Sequence, residues 1–131
     1  MFLGTRAELD WAFLDGPARF RPELLDDFLS FLNKEERADP LGSYWQRILD
    51  KRPAIHAPAA QLWHDYERAL SVVRPVASRL SPAAVPAPSL PRSPFIEAHY
   101  FTQDCFLRPD QLMAGAARLR GIPGVIVQGR Y

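Results

Sequence analysis

Apolar positions recur at helical spacing through most of the chain, and prolines mark where each run starts. Residues 5–14 predict a short helix that Thr5 can cap, with Leu9, Trp11 and Phe13 as apolar members and Asp15-Gly16-Pro17 as its end. Pro22 opens a second amphipathic run through Leu24, Leu25, Phe28, Leu29, Phe31 and Leu32. Asn33 and Glu36 have the spacing of a capping box for a short turn. Asp39-Pro40 restarts the helix, with Leu41, Tyr44, Trp45, Ile48 and Leu49 on its inner face. A longer helix is expected from Pro58 to about Val73, where Leu62, Tyr66, Ala69, Leu70 and Val73 share an arc and Trp63 sits at its edge.

Residues 74–94 hold six prolines and no period, which fits either a disordered linker or an ordered functional loop. Helices are expected over 94–102 and 109–120, the second closed by Gly121. Val125, Ile126 and Val127 are apolar at consecutive positions, the pattern of a strand over about 124–128 buried on both faces. One strand cannot satisfy its own backbone groups, so this one anticipates a sheet completed by other chain segments. The fold class expected is mainly α with one terminal β-strand.

Composition narrows the function more than the architecture. The 131 residues suit one domain. A net charge of +1 with acids and bases interleaved gives no basic stripe, so nucleic acid is not an expected partner. Cys105 is the single cysteine, so no internal disulfide is available. Arg6, Glu8 and Asp10 interrupt the start before any signal-like apolar core, and no stretch nears the roughly 20 apolar residues of a membrane span. A cytoplasmic protein without membrane partners is the expectation.

Motifs of catalysis are missing. Gly42-Ser43 lacks the remainder of a nucleophile elbow. His64 and Glu67, three apart, make too few ligands for a metal site, and no phosphate-binding glycine loop occurs. No cofactor is expected. Two carboxylates remain of interest. Glu67 falls about 40° past Trp63 around its helix, at the border of the apolar arc, where an edge residue with a hydrated head is the plain alternative. Glu97 lies among Phe95, Ile96, Tyr100 and Phe101, so its helix should be largely buried. A buried carboxylate needs a partner: Arg74, Arg92 or Arg108, or a cationic ligand.

Phe95-Ile-Glu-Ala-His-Tyr-Phe101, Asp110-Gln-Leu112 and Ile122-Pro-Gly-Val-Ile-Val-Gln-Gly-Arg-Tyr131 together resemble the proline iminopeptidase family of α/β-hydrolases. Leu9-Asp-Trp11, Asp15-Gly16, Ala18-Arg-Phe20, Pro22, and Trp63 with Glu67 are similar to that family's helical cap. The resemblance implies a serine peptidase that releases N-terminal proline through a Ser–Asp–His triad. It implies a cap over 1–102, carrying the loop 74–94, and part of the hydrolase core over 103–131. It assigns Glu67 and Glu97 to the protonated amine and Phe2 to the wall of the proline-ring pocket. A pocket tyrosine of the family falls on Ala12 here, or on Phe13 if the register slips by one, and Pro17 replaces a small residue.

The resemblance also places the serine before Met1 and the aspartate and histidine after Tyr131. By that reading this chain has no catalytic residue and depends on the missing hydrolase core. Two alternatives stand beside it. One is a non-catalytic helical module that assembles through strand 124–128; the other is the cap of a hydrolase acting on another amide or ester.

Overall fold

The computed structural model describes residues 4–73, 79–80 and 90–127. Phe2, most of the proline-rich segment and residues 128–131 lie outside that range. Seven α-helices run in the order α1 (Arg6–Asp10), α2 (Gly16–Phe20), α3 (Pro22–Ser30), α4 (Pro40–Ile48), α5 (Pro53–Leu70), α6 (Ser93–Phe101) and α7 (Gln111–Gly115) among the described residues. The mainly helical expectation holds.

Thr5 caps α1 in a capping box: its hydroxyl accepts from the Glu8 N–H at 3.3 Å, and the Glu8 carboxylate accepts from the Thr5 N–H at 3.3 Å. The helix does not stop at Asp15-Gly16-Pro17 as expected. A π-helical turn, Trp11–Asp15, carries it straight into α2. The Gly16 N–H reaches back five residues to the Trp11 carbonyl, and a β-carbon at Gly16 would lie 2.8 Å from that oxygen. Pro17 can give no N–H to Phe13, four residues earlier. The buried Tyr66 hydroxyl fills that gap, donating to the Phe13 carbonyl at 2.8 Å. Proline is accommodated because a side chain from α5 replaces the missing helical bond.

Beyond α3, Asn33 and Glu36 satisfy each other's backbone N–H groups at 2.8 and 2.9 Å, as their spacing predicted. Asp39 caps α4 through the Gly42 N–H, and Leu41, Tyr44, Trp45 and Ile48 are buried; Leu49 is exposed. Helix α5 starts at Pro53, five residues before the expected Pro58. Pro58 and Ala54 are both exposed, so water can reach the carbonyl that the proline leaves unpaired. The helix stops at Leu70, leaving Val73 in solvent.

The core joins Leu9 and Phe13 to residues of α3, α4, α5 and α6. At its centre Phe28 stacks between Tyr44 and Tyr66, with ring centroids 4.0 and 4.1 Å away. Leu80 and Leu90 pack against it from the proline-rich segment, and Asp27 holds Arg79 and accepts from the Leu80 N–H at 2.9 Å.

Past α6 the chain departs from expectation. The helix expected over 109–120 is a short α7 followed by a 3-10 turn, Ala116–Leu119. The strand expected over 124–128 is not formed: 122–127 carry no regular structure, and Val125, Ile126 and Val127 are 90, 92 and 93% exposed; residue 128 is undescribed. The reason is pairing. No extended partner exists among the described residues, and a strand without one leaves its backbone groups to water.

Candidate functional site

Trp63 and Glu67 lie one turn apart on α5, so both project from one side of that helix. Trp63 is fully buried. Its ring lies 4.8 Å from Phe13 and 5.9 Å from both Phe28 and Tyr44. Its indole N–H reaches out of this core to Glu97 on α6 and donates to Oε2 at 2.7 Å. That is the short range of a charge-assisted hydrogen bond.

The bond brings Glu97 to the stretch of α5 that carries Glu67. Both carboxylates are half-buried. Burial first, and the Glu97 charge second, push Glu67 above the usual carboxylate range. Arg92 and Arg108 form no ion pair with Glu97, and Arg74 is outside the described residues. The structure therefore brings together the two carboxylates singled out in the sequence and adds a neutral donor, Trp63, that periodicity had placed merely at the edge of an arc. The clue in the sequence was the four-residue spacing of Trp63 and Glu67.

The remaining expectations fare unevenly. Helix α6 is less enclosed than predicted: Pro94 and Ala98 are buried, whereas Ile96 and Tyr100 are 59 and 48% exposed. Glu97 thus has solvent access along one side of its helix. Ala12 is exposed, and Phe13 is committed to the core against Trp63. Phe2 lies outside the described residues. No three His, Cys, Asp or Glu among the described residues could share a metal ion, so His64 and Glu67 have no third ligand there. Two cavities of about 300 and 390 Å³ open around Gly4, Arg6 and Asp104; neither is lined by Glu67 or Glu97.

Comparison with known proteins gives the geometry a context. The chain is 33% identical over its whole length to the proline iminopeptidase of Xylella fastidiosa and 33% identical to that of Xanthomonas citri. It resembles a segment of the proline iminopeptidases. The Arabidopsis thaliana proline iminopeptidase is 30% identical, again over the whole chain. The chain spans 42% of the length of the two bacterial proline iminopeptidases and 35% of the plant one. No protein-family model matches it.

Proposed function

We propose that this chain is the substrate-recognition cap of a proline iminopeptidase-like serine hydrolase, with Glu67 and Glu97 gripping the protonated amine of an N-terminal proline. In this reading residues 1–102 are the cap, 103–131 adjoin it as part of the hydrolase core, and the triad comes from the remainder of a cytoplasmic parent enzyme. Phe2 contributes to the wall around the proline ring.

The observation that carries the reading is the Glu67–Glu97 pair, two half-buried carboxylates that feel each other's charge and form no ion pair with an arginine or lysine among the described residues. Such a pair is unfavourable empty and becomes favourable around a cation. A protonated prolyl nitrogen has two N–H donors, one for each carboxylate, and is cationic at neutral pH because an α-amine titrates near about 8. Acylation of that nitrogen removes its charge and leaves the carboxylates repelling, which rejects internal peptide bonds. The fact that Pro94 and Ala98 alone are buried on α6 leaves Glu97 open to such a ligand.

Calorimetric titration with prolinamide and N-acetylprolinamide tests the assignment. Prolinamide should bind and the acetylated compound should not, and Glu67→Gln or Glu97→Gln should each weaken binding about tenfold or more. Equal binding of both compounds, or unchanged affinity in both variants, would overturn it. A second reading, favoured by the exposure of Val125–Val127, is an assembly module whose apolar segment pairs with another copy of the chain.

A further inference from the structure

We propose that Trp63 is the positioning residue of the amine site: its indole N–H aims the Glu97 carboxylate at the space beside Glu67 without neutralising it. This rests on the amine-site reading of Glu67 and Glu97, and adds what sets the geometry of that pair.

Three observations carry it. First, the donor is immobile. Trp63 is fully buried, and its ring is enclosed by Phe13, Phe28, Tyr44 and Trp45, with centroids 4.8 to 6.3 Å away. A side chain so packed has one orientation, so the position of its N–H is a property of the core. Second, indole offers a single donor and no acceptor, and that donor is spent on Glu97 Oε2 at 2.7 Å. An arginine in its place would orient the carboxylate as well but would cancel its charge and occupy both oxygens. The neutral donor leaves Oε1 and a full negative charge for a ligand.

Third, the bond opposes a repulsion. The Glu97 charge acts on Glu67, and Glu97 has an open side toward solvent past Ile96 and Tyr100. Left free, the side chain would swing outward, away from the like charge and into water. Trp63, one turn before Glu67 on the same side of α5, holds it inward. Preorganisation of this kind strengthens binding by reducing the ordering required when the ligand arrives. In the parent enzyme the effect belongs in KM, with kcat for bound substrate little changed.

The test removes the N–H and keeps the shape. Site-specific replacement of the Trp63 indole by benzothiophene should leave the far-ultraviolet dichroism and the cooperativity of thermal unfolding unchanged while raising the prolinamide dissociation constant about tenfold. Adding Glu97→Gln to that replacement should cost no more than Glu97→Gln alone, the signature of two groups acting through one bond. Trp63→Phe, which also opens a void, should weaken binding and stability together. Unchanged prolinamide affinity in the benzothiophene protein would overturn the proposal.

A second readout separates this inference from the reading beneath it. The Trp63 indole proton should resonate downfield and move upfield in Glu97→Gln. If the native chain ignores prolinamide yet that proton moves, the amine reading falls and the anchoring of Glu97 stands. If the proton stays put, the anchoring itself fails.

Discussion

At Glu67 burial and a neighbouring charge act in the same sense, both favouring the protonated acid. Burial, then the neighbouring Glu97, raises its pKa above the ordinary carboxylate value. The folded state therefore holds the proton more tightly than the unfolded chain does. Stability is greatest below the ordinary value and declines as pH rises through the folded one. Glu67→Gln abolishes that decline. We expect the variant to melt at a higher temperature than the native chain at pH 7, with the gain vanishing near pH 4. A destabilised Glu67→Gln at pH 7 would contradict it. Tyr66 shows the complementary case. Burial pushes its hydroxyl well above the usual tyrosine range, so it stays a proton donor to the Phe13 carbonyl that Pro17 leaves unpaired.

At the level of elements, the start of α4 shows how one side chain can serve two structures. Asp39 accepts from the Gly42 N–H at 3.3 Å as the helix cap and from Arg6 of α1 at 2.6 Å as an ion pair. The hydrogen bond from Arg6 is the main reason its pKa is lowered, partly offset by burial. A lowered carboxyl pKa contributes stability above its unfolded value and loses it as pH falls through the folded one. Asp39→Ala should cost about 1 kcal/mol in urea unfolding at pH 7, most of it from the cap because the ion pair is half-exposed. The penalty should shrink below pH 3. A penalty independent of pH would leave the carboxylate without its role. Gly42 is tied to the same cap, since a β-carbon there would collide with the Asp39 carboxylate.

Across the whole molecule, packing is uneven. Among the described residues, every fully buried apolar side chain lies between Leu9 and Ala98, and Phe101 is the last residue against that core. The chain beyond it contributes an α7 of five residues, a 3-10 turn and an irregular apolar tail. Three consecutive residues, Asp104, Cys105 and Phe106, adopt positive φ of 48, 54 and 57°, where a β-carbon is crowded against backbone. The exposed Val125–Val127 segment needs strands from elsewhere to become part of a sheet. If copies of the chain supply them, sedimentation velocity should show mass rising with concentration, and a charge placed in the middle of the apolar run by Ile126→Lys should abolish the rise. A concentration-independent monomer would remove the assembly reading and favour a sheet completed by the rest of a longer hydrolase.

What the sequence determined by itself is mostly local. Thr5, Asn33 with Glu36, and Asp39 before Pro40 mark helix starts because the groups they cap lie within one turn of chain. The inner face of α4 was legible for the same reason, its four buried residues falling at helical spacing. Misjudged elements were those that a distant group decides. Gly16-Pro17 looked like an end because the hydroxyl that rescues the Phe13 carbonyl comes from Tyr66, 53 residues away. The strand looked buried because its β-branched run is apolar, yet a strand exists only where another chain segment accepts its hydrogen bonds. The site divides the same way. Sequence and resemblance named Glu67 and Glu97 as a pair, and only tertiary packing of α5 against α6 decided that a buried tryptophan, contributing a donor and no charge, would be what holds Glu97 in place.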